Sequence, residues 1–166
     1  MVGHLSPAKL GIQDEVQVLS SIKEYLLGPQ TPGSISLTLG LPSRGTTLYD
    51  LIHLGPPFEH IDQVASLLLV KREIISTAIG ISSTTIARRA KAGRFNVVES
   101  DRLIALIAVF EEALSLFEGD AAAARDWMRW PVRGLGSRCP INMLGARVEM
   151  KAVLDLIGRL ERRAPA

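Results

Sequence analysis

Thr84, Thr85, Arg88, Arg89 and Lys91 are the residues whose types and spacing could do chemistry in this chain. At about 100° per residue, Ile86 and Ala90 point one way along a helix. Thr84, Arg88 and Lys91 point the other way, with Thr85 and Arg89 on a flank. Hydroxyls and cations alone on one helix face suit a nucleic-acid groove, with Thr and Arg at base edges and the remaining cations on phosphates. Ser82 and Ser83 add donors at the start of the same helix. Over residues 71–94 the six cations Lys71, Arg72, Arg88, Arg89, Lys91 and Arg94 face one anion, Glu73. The competing interpretation is a solvated face on a structural helical hairpin.

No other constellation offers chemistry. His4, His53 and His60 are scattered, and none has metal-ligand spacing with Cys139 or a carboxylate pair. Glu111 and Glu112 are adjacent on a helix and cannot face each other. Gly134-Leu-Gly136 lacks both the preceding strand and the third glycine of a dinucleotide fingerprint. Cys139 precedes a proline with no base nearby, which fits a small packed side chain and not a nucleophile. The expectation is a protein without enzymatic activity, cofactor or metal.

The recognition face must be held by its neighbours. Ile74, Ile75, Ala78 and Ile79 recur at helical spacing. Gly80 can take the left-handed backbone that ends a helix. Ser82 is a good N-cap for a second short helix, and Gly93 stands past its end. Helix, glycine turn and capped helix form a helix-turn-helix pattern. Upstream, Thr46 and Thr47 can cap a helix to Leu54, and residues 58–69 predict the next. Downstream, Asn96-Val-Val-Glu99 reads as a capping box opening a long helix. Val98, Leu103, Leu106, Ile107, Phe110, Leu114 and Phe117 are its expected buried face, and Gly119 its close.

Two further regions flank this centre. Ile12, Val16, Leu19, Ile22 and Leu26 predict an amphipathic helix over 12–27. Residues 34–41 alternate polar and apolar with period two, a strand signal. A lone strand needs a partner; either a second subunit supplies it or the segment is a covered loop. At the other end, Asp120 caps a short helix that carries Trp127 and Trp130 three residues apart, sharing a side. Tryptophan pairs of this kind serve as core or interface anchors. A loop over 131–140 leads to a helix over about 147–162, with Val148, Val153, Leu156, Ile157 and Leu160 apolar. Residues 119–166 hold nine cations against five anions.

Composition bounds the rest. A chain of 166 residues with 47% apolar content can bury a real core, in one or two small domains. The net charge is only +2, so the positive charge is local. One cysteine suits a reducing cytoplasm. The opening Met-Val-Gly-His-Leu-Ser-Pro7 lacks the features of a signal peptide. The apolar clusters are too short to span a bilayer. A soluble cytoplasmic protein with no membrane partner is expected.

Three pieces in order carry a resemblance: Gly80-Ile-Ser-Ser-Thr-Thr-Ile-Ala-Arg-Arg89, Glu99-Ser-Asp-Arg-Leu103, and Ala124-Arg-Asp-Trp-Met-Arg-Trp-Pro131. The third continues through Leu135-Gly136, Pro140-Ile-Asn-Met-Leu144 and Val153-Leu-Asp-Leu-Ile-Gly-Arg-Leu160. From Thr46 to the end, the chain resembles the Xre/MbcA-type antitoxins, partners of RES-domain toxins. The resemblance implies an all-α protein: a Cro-like helix-turn-helix domain over 46–118, then a small helical toxin-binding domain over 119–166. Residues 1–45 lie outside the resemblance; their own pattern offers the N-terminal helix and strand-like segment as candidate dimerisation surfaces. The resemblance further implies an antitoxin that sterically neutralises an NAD⁺-consuming RES toxin and represses its own operon. DNA contact would then fall to Ser82, Ser83, Thr84, Thr85, Arg88, Arg89 and Lys91. Toxin contact would fall to Trp127, Trp130, Arg133, Arg159, Arg162 and Arg163. The partners are the cognate toxin, operator DNA and a second copy in a homodimer. The alternative is a stand-alone helix-turn-helix regulator whose C-terminal part oligomerises or senses a ligand.

Overall fold

The computed structural model describes residues 35–42 and 45–163. The helix expected over 12–27 lies outside them. In chain order the elements are α1 (Ile35–Thr38), α2 (Thr46–Leu54), α3 (His60–Leu68), α4 (Arg72–Ala78), α5 (Ser83–Ala92), α6 (Val97–Leu116) and α7 (Ala121–Arg129). Two 3₁₀ turns, Arg133–Leu135 and Pro140–Met143, precede α8 (Arg147–Glu161). The fold is all-α. Among the described residues the strand-like pairings are two isolated bridges, Pro57 with Arg94 and Val132 with Arg138.

α6 is the axis. Leu103, Leu106, Ile107, Phe110 and Leu114 recur at helical spacing and are buried, and Val109 and Ala113 add a second buried line. A 20-residue helix buried on more than one side needs neighbours around it. α1, α2, α7 and α8 all pack on it. One hydrophobic cluster therefore runs from Ile35 through Ile75 and Phe110 to Ile157. The two halves of the chain share a core.

The caps follow local rules. Asn96 Oδ1 accepts from Glu99 N at 2.8 Å, and Glu99 Oε2 accepts from Asn96 N at 3.0 Å, so the expected capping box forms. Ser82 Oγ accepts from Thr85 N at 3.3 Å, and Gly93 closes α5 at φ 78°. Asp120 Oδ1 accepts from the amides of Ala122 and Ala123.

The expected strand over 34–41 is a helix and turn. Leu39 N donates to Ile35 O and Leu41 N to Ser36 O. Ile35, Leu39 and Leu41 are all buried. Ile35 and Leu39 satisfy helical as well as period-two spacing, and a helical turn pairs its own amides where a lone strand cannot. Ser36 donates through both N and Oγ to Glu111 Oε1 at 2.8 and 3.1 Å, fixing this segment to α6. Other local expectations also shift. Gly45, not a threonine, is the N-cap of α2, without a side-chain bond. Val98 is 56% exposed, because it shares its side of α6 with exposed Asp101, whereas Glu99 and Ser100 beside it are buried.

Candidate nucleic-acid interface and partner-binding face

α4 and α5 form the helix-turn-helix. Gly80 at φ 71° makes the turn, and a Cβ there would come within 2.6 Å of Arg102 Nη1. That guanidinium donates to Ile79 O at 3.2 Å, closing the end of α4 from α6. α5 buries none of its residues; Ile86 is half-buried against the core and Ala90 is exposed. The helix is tied at both ends, by its cap at Ser82 and by Phe58 N donating to Gly93 O at 3.0 Å, and along its length by one ion pair.

That ion pair sorts the cations. Arg89 Nε meets Glu99 Oε2 at 2.6 Å, with side chains 19% and 9% exposed. Because the same oxygen closes the capping box, Arg89 ties α5 to the N-terminus of α6. Arg94 Nη1 donates to Gly55 O at 2.6 Å. Arg72 meets both oxygens of Asp62 at 2.6 Å and lies 5.7 Å from the Phe58 ring centroid. The bond to Asp62 raises its pKa further above the ordinary arginine value. Lys71, Arg88 and Lys91 are exposed and hold no partner among the described residues. The outward face of α5 is therefore Ser83, Thr84, Arg88 and Lys91. The Ser82 hydroxyl donates to Thr85 Oγ1 at 3.0 Å, so this pair is occupied by the cap.

The second candidate face lies behind α6. Trp127 is half-buried and tilts against Phe117, with ring centroids 6.5 Å apart at 57°. Trp130 is the C-cap of α7, with extended backbone, and is 65% exposed. Leaving the helix separates it from Trp127, so the expectation that the two share a side is corrected: one anchors the core and the other faces out. Arg133, Arg159, Arg162 and Arg163 are exposed. Gly134, Arg159 and Arg162 line one open groove between the first 3₁₀ turn and α8, of about 580 Å³.

Two arginines of α7 escape sequence reasoning. Buried Arg125 donates through Nε to Leu67 O at 2.7 Å, and Arg129 Nη1 to Leu69 O at 3.3 Å. Leu69 ends α3 in the left-handed region, at φ 52°. Both guanidinium groups therefore serve carbonyls at the C-terminus of α3, where cations are favoured. Their spacing of four along α7 was the available signal; the acceptors, about sixty residues earlier, left none.

Two known families match the chain in succession. Residues 48–108 match the antitoxin Xre-like helix-turn-helix domain. Residues 112–163 match the antitoxin Xre/MbcA/ParS C-terminal toxin-binding domain. "Antitoxin Xre" of Yersinia enterocolitica serotype O:8 / biotype 1B is 40% identical over 125 residues, covering 74% of this chain and 84% of the relative. The chain belongs to the Xre antitoxin family. "Antitoxin Xre" of Photorhabdus laumondii subsp. laumondii is also similar, 33% identical over 126 residues, covering 75% of this chain and 85% of its own. This Xre-family chain is thus an antitoxin with a DNA-binding helix-turn-helix, and its family is not one of enzymes. None of its described helices is long and apolar enough to cross a membrane.

Proposed function

We propose that this antitoxin binds and sterically silences a RES-domain, NAD⁺-consuming toxin, and represses its own operon as a homodimer. The observation that carries the proposal is the direct succession of the two matched domains, 48–108 and 112–163, on one shared core. The outward face of α5 supplies hydroxyls and two exposed cations, Arg88 and Lys91, for an operator groove. The face behind α6 supplies an exposed tryptophan and unpaired arginines for a protein partner, residue types enriched among interface anchors. One recognition helix reads only a short site, so affinity for an operator is gained by pairing two copies on one DNA face.

Co-expression with the RES-domain protein of the same operon tests this. Co-purification of the two proteins and survival of the host are the expected results. A toxin that neither co-purifies nor loses toxicity would favour the stand-alone regulator.

A further inference from the structure

Gly158 occupies the interior of α8, four residues before the helix ends at its C-cap Arg162. A glycine there weakens a helix relative to alanine, because it adds backbone freedom to the unfolded chain. Internal packing does not require it. An added Cβ would meet only Arg162 Nη1, at 3.6 Å, an ordinary contact with the end of a flexible side chain. Nor is Gly158 in the left-handed region. Gly134, across the groove, is different: a Cβ there would come within 2.8 Å of Leu156 Cδ1. A Cβ at Gly134 would force the Leu156 side chain to shift, and one at Gly158 would displace nothing.

The surroundings of Gly158 give a reason outside the fold. It lines the open groove with Ala152, Leu154, Asp155, Arg159 and Arg162. Asp155 is neutralised by Lys151 at 2.7 Å. Arg159 and Arg162 are exposed and have no partner among the described residues. The groove therefore has the helix backbone at Gly158 with the flexible Arg162 side chain lying over it, the apolar side chain of Leu154, and two guanidinium groups without a partner among the described residues. We infer that this groove receives an acidic segment of the toxin, its main chain against the Cα of Gly158 and its carboxylate between Arg159 and Arg162. Glycine lets a partner backbone approach closely, and guanidinium forks bind carboxylates in paired hydrogen bonds. The inference rests on the toxin-binding reading proposed above and assigns its contact surface.

The test uses the full chain and purified toxin, with affinity measured by calorimetry at two salt concentrations. The wild-type chain should bind, and more weakly at high salt. Gly158→Ala should keep the melting temperature or raise it by about 2–4 °C, yet weaken toxin binding about tenfold or more, as loss of a central contact does. Arg159→Ala with Arg162→Ala should weaken binding and flatten its salt dependence. Opposite signs for stability and affinity at Gly158 separate a contact role from a structural one. A Gly158→Ala protein that binds toxin like the wild type overturns the assignment. Loss of operator binding in the arginine variants with unchanged toxin affinity also overturns it, by marking the groove as a nucleic-acid surface. If the wild-type chain itself has no affinity for the toxin, the toxin reading falls and the groove's occupant falls with it.

Discussion

Arg88 and Arg89 are neighbours with different tasks. Arg88 is exposed and has no partner among the described residues, whereas Arg89 bonds the buried Glu99. Arg88→Ala should therefore leave the melting temperature within about a degree, since surface changes rarely exceed about 0.5 kcal/mol. It should still cost about 1–3 kcal/mol of operator affinity if Arg88 reads a base edge. Arg89→Ala should destabilise the fold by about 1–3 kcal/mol, because Glu99 loses its charged partner at a buried position. Urea titration and gel shift on the two single variants check the split; equal stability of both would contradict it. His60 offers a second test. Its Nδ1 lies 3.1 Å from Pro57 O and its Nε2 3.2 Å from Leu39 O. Burial pulls its pKa below the ordinary 6.5, against the opposing pull of those carbonyls and Glu59. The folded protein thus binds fewer protons here than the unfolded chain, so this contribution to stability is complete above pH 6.5. It is lost as the pH falls from there through the folded value. A scan of melting temperature against pH should slope downward below pH 6.5, and the slope should flatten in His60→Gln. An unchanged slope would place the titrating group elsewhere.

At the scale of elements, α6 is the part on which the others depend. Asn96→Ala removes the side-chain half of its capping box and should cost about 1 kcal/mol, measured by denaturant unfolding. An unchanged midpoint would mean that Glu99 alone holds the helix start. The caps at Ser82, Asn96 and Asp120 were legible in the sequence because each depends on residues two or three positions away. The long buried line from Leu103 to Leu114 was legible for a similar reason, through helical periodicity. Residues 35–41 misled because Ile35 and Leu39 fit both periods, and the deciding partner, Glu111, is 75 positions distant. Val98 misled because its apolar type groups it with the buried line although, at about 100° per residue, it falls on the side of α6 opposite buried Ile107. The sorting of Arg72, Arg89, Arg94 and Arg125 into structural roles was hidden as well. Each depends on an acceptor brought near by the fold, and a basic run in a sequence records only the charge. Of the candidate sites, the outward face of α5 was therefore visible, and the groove at Gly158 was not.

At the scale of the molecule, the shared core joins the DNA-facing and partner-facing surfaces on opposite sides of α6 in sequence. The homodimer should give a light-scattering mass of about twice the 18.0 kDa of one chain at micromolar concentration. The apolar side chains of Ile35, Leu39 and Leu41 are used in the core of one chain, whereas those of Leu54, Val97 and Val98 are exposed and available for such a contact. A clean monomer would contradict pairing on the operator. Toxin neutralisation should reside in residues 119–166 and not need DNA binding. Cellular NAD⁺ measured during toxin expression tests it most directly, with three versions of the antitoxin supplied in parallel. Wild type and Arg88→Ala should both keep NAD⁺ normal, although Arg88→Ala should hold the operator more weakly. A chain lacking residues 159–166, verified as folded by circular dichroism and still able to bind the operator, should let NAD⁺ collapse. A folded truncation that keeps NAD⁺ normal, or an Arg88→Ala protein that fails to, would contradict the account.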